Sequence, residues 1–97
     1  MNVEKFIVSN QNYTIGVKFD KGKQILTIGS VLSSSTFIEN VLNLCFGADN
    51  AEKTQISRNK VRYISKIDTE SFSGGMKRIS TEGLTITPVH EFGRLMR

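Results

Sequence analysis

Residues 33–47 read SSSTFIENVLNLCFG, and in this stretch a start signal, a periodicity and a stop signal agree. Thr36 followed by Glu39 fits a capping box, in which the hydroxyl accepts from the N3 amide and the glutamate reaches back to the N-cap amide. A helix is therefore expected from about Phe37. Gly47 marks its end, since glycine takes the left-handed conformation without a Cβ penalty, and the polar Asp49 and Asn50 follow. Between these limits only Glu39, Asn40 and Asn43 are polar. They form one narrow stripe, too narrow for a helix with an ordinary wet face, so most of the circumference needs a cover. A helix of about three turns is unstable alone in water. The expected cover is β-sheet, with a subunit interface as the competing explanation for the surplus apolar face.

The segment before the helix supplies that sheet. Tyr13, Ile15, Val17 and Phe19 alternate with Thr14, Gly16, Lys18 and Asp20, the period-two pattern of a strand with one wet face. A turn at Lys21 and Gly22 would return the chain as a second strand over 24–30. With a two-residue loop, Val17 faces Leu26 and Ile15 faces Ile28, so both strands offer apolar residues to one side. Residues 6–8 form a short apolar run, expected as an edge strand and ended by the turn-prone Ser9, Asn10, Gln11 and Asn12.

After Gly47, residues 48–54 read as a polar connection and 55–67 as a strand. Ile56, Val61, Tyr63 and Ile67 fall on one side, and Arg58, Lys60, Arg62 and Lys66 on the other with Ile64 among them. A helix over 52–66 would leave the apolar residues scattered, so strand is the preferred reading. SFSGG at 71–75 reads as a flexible loop. Residues 76–80 and 84–87 then read as a second hairpin across Glu82 and Gly83, with Ile79 opposite Ile86. Pro88 marks a strand end or an edge, and Phe92, Leu95 and Met96 read as an irregular cover. The result is a single α+β domain over residues 1–97, one short buried helix on a mostly antiparallel sheet in the order β-β-β-α-β-β-β.

Ninety-seven residues suffice for a core without disulfide or metal. The one cysteine, Cys45, lies on the apolar helix and reads as a small buried hydrophobe. MNVEKFIVSN has no apolar core of a leader, and no stretch reaches the length of a membrane span. A soluble protein of a reducing compartment, the cytoplasm, is expected.

Charge is unevenly placed. Residues 1–52 carry four bases against five acids, and residues 53–97 carry nine bases against four acids. The surplus points to an anionic partner, nucleic acid or an acidic protein surface. On a strand, Arg58, Lys60 and Arg62 would form a row with about 7 Å between neighbours, near the spacing of successive phosphates. Lys66 continues the row, Tyr63 lies beside it, and Lys77 and Arg78 would extend it if the second hairpin pairs alongside. The competing reading is that a wet strand face must be polar anyway and that charged edges deter aggregation. Aromatic support is thin: Tyr63 and Phe72 are surface candidates, and Tyr13 is assigned to the core.

Weaker candidates are a phosphate site at residues 33–36 and a cradle at Ser73, Gly74 and Gly75 before Lys77 and Arg78. His90 beside Glu91 is the one place for acid–base chemistry. A single histidine and a single cysteine make neither a catalytic set nor a tetrahedral metal site. No enzyme activity, metal or cofactor is expected. The sequence supports a non-enzymatic binding protein whose basic C-terminal half engages nucleic acid, RNA included, or a nucleic-acid–protein complex. The alternative is a small inhibitor or adaptor, of the kind encoded by phages and mobile elements, docking on a host protein. Self-association to a homodimer is expected from the apolar helix and open sheet edges.

Overall fold

The computed structural model describes residues 3–89. Strands β1 (Val3–Ser9), β2 (Thr14–Asp20) and β3 (Ile25–Val31) form an antiparallel meander. Helix α1 follows as one continuous rod: a 3-10 turn at Leu32–Ser34, an α-helical stretch Ser35–Asn40 and a π turn Val41–Phe46. Strands β4 (Glu52–Gln55) and β5 (Lys60–Lys66) form a hairpin, helix α2 spans Thr69–Thr81, and β6 (Thr85–Pro88) ends the described chain. The six strands make one antiparallel sheet ordered β4-β5-β3-β2-β1-β6. No helix among the described residues is long and apolar enough to cross a membrane.

The β2–β3 register illustrates what alternation fixes. Val17 pairs with Ile28 and Phe19 with Leu26, two residues from the expected pairing. The loop is four residues long, because Asp20 Oδ1 accepts from the Lys23 amide at 3.0 Å and Gln24 takes a left-handed φ of 55°. A slip of two keeps every side chain on its face, so the expected apolar side is the buried one.

Both helices lie on that side. Val8, Ile15, Val17, Phe19, Leu26, Ile28, Val61 and Tyr63 meet Ile38, Val41, Leu42, Cys45 and Phe46 of α1 and Phe72 and Ile79 of α2 in one core. The Phe72 ring stacks on Phe19 at 4.3 Å and on Phe46 at 5.9 Å between centroids. Leu42 and Phe46 are buried, and α2 packs over this part of the surplus apolar face of α1. On the rod, Leu44 stays 70% and Leu32 37% exposed.

Five expectations need correction. The mixed α+β class and antiparallel sheet hold, but there are two helices, and the element order is β-β-β-α-β-β-α-β. Residues 71–75 and 76–80, read as loop and strand, lie inside α2. Asp68 Oδ1 accepts from the Ser71 amide at 2.7 Å as its N-cap. At its end Leu84 N–H donates to the Ile79 carbonyl and Gly83 N–H to that of Ser80, a Schellman closure with Gly83 at φ 80°. Strand 55–67 is in fact a hairpin, with Ile56 N–H donating to the Lys60 carbonyl across a turn at 56–59. Residues 6–8 belong to an interior strand, since β1 pairs with both β2 and β6. The capping box at Thr36 is absent, because the rod starts four residues earlier and no side chain caps it. Gly47 does terminate α1, with φ 64°.

Candidate functional site

Pairing across the sheet settles which side chains share its second face, the one away from the helices. Lys5 pairs with Lys18, Lys18 with Thr27, Thr27 with Ile64 and Ile64 with Glu52. The adjacent row is Thr87, Ile7, Gly16, Gly29, Arg62 and Thr54. Beyond it Val31 pairs with Lys60, and at the other end Asp20, Ile25 and Lys66 form a row. No described element crosses this face, and its Lys5, Lys18, Lys60, Arg62 and Lys66 are all exposed.

Five cations thus stand against two carboxylates there, Asp20 and Glu52. Asp20 is engaged by its own turn, and Glu52 sits on the edge strand. The one ion pair among the described residues, Lys21 Nζ to Glu4 Oε2 at 3.1 Å, involves none of the five. Lys5 and Lys18 oppose each other directly, an arrangement that repels across a strand pair. A bound anion would relieve it.

The expected site residues divide. Lys60, Arg62 and Lys66 come together on the open face at outward positions of β5, with Ile64 between Arg62 and Lys66. Arg58 lies in the 56–59 turn, off the strand, so the row does not begin with it. Tyr63 points to the opposite side. It is buried at 3% exposure, and its hydroxyl donates to Glu39 Oε2 at 2.6 Å. Burial, and then that hydrogen bond, push its phenol above the usual range. Lys77 and Arg78 ride on α2, across the molecule from the row. Arg78 Nη1 donates to the Cys45 carbonyl at 2.7 Å, satisfying an acceptor in the last turn of α1. Burial, with the Glu82 carboxylate adding, pushes the Cys45 thiol up against a smaller opposing pull from Arg78, as fits an inert core residue.

Phe72 is core, while Tyr13 is partly exposed and stacks on Phe37 at 5.6 Å on the helix side. Ser73, Gly74 and Gly75 are helical and form no cradle. Ser34 is buried and Ser35 Oγ donates to the Leu32 carbonyl, so these serines serve the rod itself. His90 and Glu91, with Phe92, Leu95 and Met96, lie outside the described residues.

Sequence reasoning missed Lys5 and Lys18 because they belong to the half without surplus charge. The signal was present, since Lys18 alternates with the buried Val17 and Phe19. Their strands join β5 only through the sheet order.

The open face also carries a groove of about 520 Å³, floored by Gly16 and Gly29 and walled by Ile7, Thr14, Val31, Ile56, Lys60 and Arg62. Comparison with protein-family models, with curated proteins and with solved structures finds no match to this chain.

Proposed function

We propose that this protein is a binding module without a reaction of its own, which engages nucleic acid, alone or in a nucleic-acid–protein complex, through the open face of its sheet. The observation that carries the reading is the set of exposed cations Lys5, Lys18, Lys60, Arg62 and Lys66 on a face that no described element covers, none of them in an ion pair among the described residues and two of them directly opposed. Phosphates along a strand would neutralise them and release counterions. Lys60 and Arg62, alternate residues of β5, stand about 7 Å apart and match a backbone repeat.

Electrophoretic retention of labelled RNA and DNA at two salt concentrations tests this. With about four phosphates contacted, affinity falls roughly a hundredfold between about 50 and 200 mM salt. No retention at low salt removes the reading. The paired substitution Lys60→Ser and Arg62→Ser weakens retention with little change in melting temperature, whereas Lys77→Ser on the helix side leaves retention as it was.

A second reading, an inhibitor or adaptor docking on a host protein, is favoured by a cluster at one end of the groove. Val31 is 48% and Ile56 49% exposed there, with Leu32 alongside. Capture from a nuclease-treated lysate separates the two, since protein-mediated capture survives the nuclease.

A further inference from the structure

Gly16 and Gly29 face each other on the two adjacent strands β2 and β3 in the middle of the open face. Neither has a positive φ. A β-carbon at Gly16 would have the Gly29 carbonyl oxygen as nearest neighbour at 3.7 Å, and one at Gly29 the Val61 carbonyl oxygen at 3.7 Å, both ordinary contacts. Nothing inside the fold therefore requires glycine at either position. Interior strand positions favour β-branched residues, and glycine there weakens the strand. The remaining reason for bare backbone on a sheet face is close approach by something outside.

The surroundings define what approaches. The groove has aliphatic walls, Ile7, Val31 and Ile56, and cations at its rim, Lys60 and Arg62. Lys5 and Lys18 stand in the next row. A ligand that fits is flat and apolar where it meets the floor and anionic on either side. An unpaired base between its phosphates has that form. Bases of a duplex are stacked inside it and do not reach such a floor. From Ile7 to Arg62 the groove spans three strand spacings, roughly 14 Å, room for about two bases. The open face holds no aromatic among the described residues, so the planar surface offered to a base is the Arg62 guanidinium together with the glycine backbone.

Resting on the reading of the open face as a nucleic-acid interface, we infer that this groove seats unpaired bases, that the ligand is single-stranded nucleic acid, and that Gly16 and Gly29 set the depth of the seat.

Fluorescence anisotropy of a labelled single strand of about 12 nucleotides tests this, with the corresponding duplex, inorganic polyphosphate and polyglutamate as competitors. The parent is expected to prefer the single strand to the duplex. Gly16→Val and Gly29→Val are expected to lower single-strand affinity about tenfold each, the loss of roughly one base contact, while polyphosphate competes as before. Melting temperature should hold or rise. If either valine variant fails to melt cooperatively, alanine, whose β-carbon meets only ordinary contacts, replaces it. Unchanged single-strand affinity in the glycine variants, beside loss in the Lys60→Ser, Arg62→Ser variant, overturns the seat and leaves the cationic interface standing. Equal affinity for duplex and single strand overturns it too. Polyglutamate binding that depends on Gly29 reassigns the groove to an acidic peptide. Absence of binding to every polyanion at about 50 mM salt removes the interface itself.

Discussion

A β-carbon at Gly75 would collide with the ring of Phe46, whereas one at Gly74 has only Arg78 Nη1 near it, at 3.8 Å. Adjacent glycines in one helix thus have opposite meanings. Gly75→Ala forces the stacked Phe46 and Phe72 rings apart and is expected to destabilise by about 1–3 kcal/mol. Gly74→Ala removes a flexible residue from a helix interior and is expected to be neutral or to stabilise by up to about 1 kcal/mol. Urea unfolding of both variants checks the pair. Tyr63 gives a second residue-scale test. Tyr63→Phe deletes the hydrogen bond to Glu39 and leaves no buried polar atom unpaired, because the carboxylate is exposed and rehydrates. The expected loss is about 1 kcal/mol. Nucleic-acid retention should stay at the parent level, since Tyr63 faces the helices; a drop in retention would return it to the interface.

At the scale of elements, α2 was the least legible part of the chain. SFSGG carries local loop signals, and two glycines cost a helix about 1 kcal/mol each relative to alanine. Yet Phe72, Met76 and Ile79 recur at helical spacing behind an Asp68 cap and ahead of Gly83. That pattern is legible in the sequence, but the paired glycines mask it locally. What tips the balance is burial of Phe72 and Ile79 against α1 and the sheet, a gain no local window registers. The cap makes a pH prediction. Hydrogen bonds from the Ser71 amide, then its hydroxyl, hold the Asp68 carboxyl below its ordinary value of 3.8. The folded state thus binds this proton less tightly than the unfolded one. Its stabilising contribution is complete above the unfolded pKa and is lost as pH falls through the lower folded value. The difference in urea midpoint between the parent and Asp68→Asn should therefore narrow on going from neutral pH to below 3.8. A difference independent of pH would dismiss the charge on the cap as the cause.

For the whole molecule, the proposed interface is a property of strand order. Lys5 and Lys18 reach the β5 cations only because β1, β2, β3 and β5 are neighbours in the sheet. Self-association likewise turns on how the sheet ends: α2 packs over part of the surplus of α1, so the proposed dimer relies on pairing through the exposed edge strand β4. Sedimentation at several concentrations checks it, and a strictly monomeric species at high concentration counts against it. By itself the sequence determined the side each strand residue takes: Ile15, Val17 and Phe19 inward, Lys18 outward, and Lys60, Arg62 and Lys66 together on one face. It determined too that residues 37–46 needed a cover and ended at Gly47. These follow from the pleat and from backbone sterics, which act between near neighbours along the chain. Only the tertiary structure decided that α2 supplies part of the cover, that Tyr63 is core, that Arg58 leaves the row for a turn, and that two glycines and two N-terminal lysines stand beside the β5 cations. Those outcomes depend on which distant surfaces bury one another, and burial is settled by the whole chain at once.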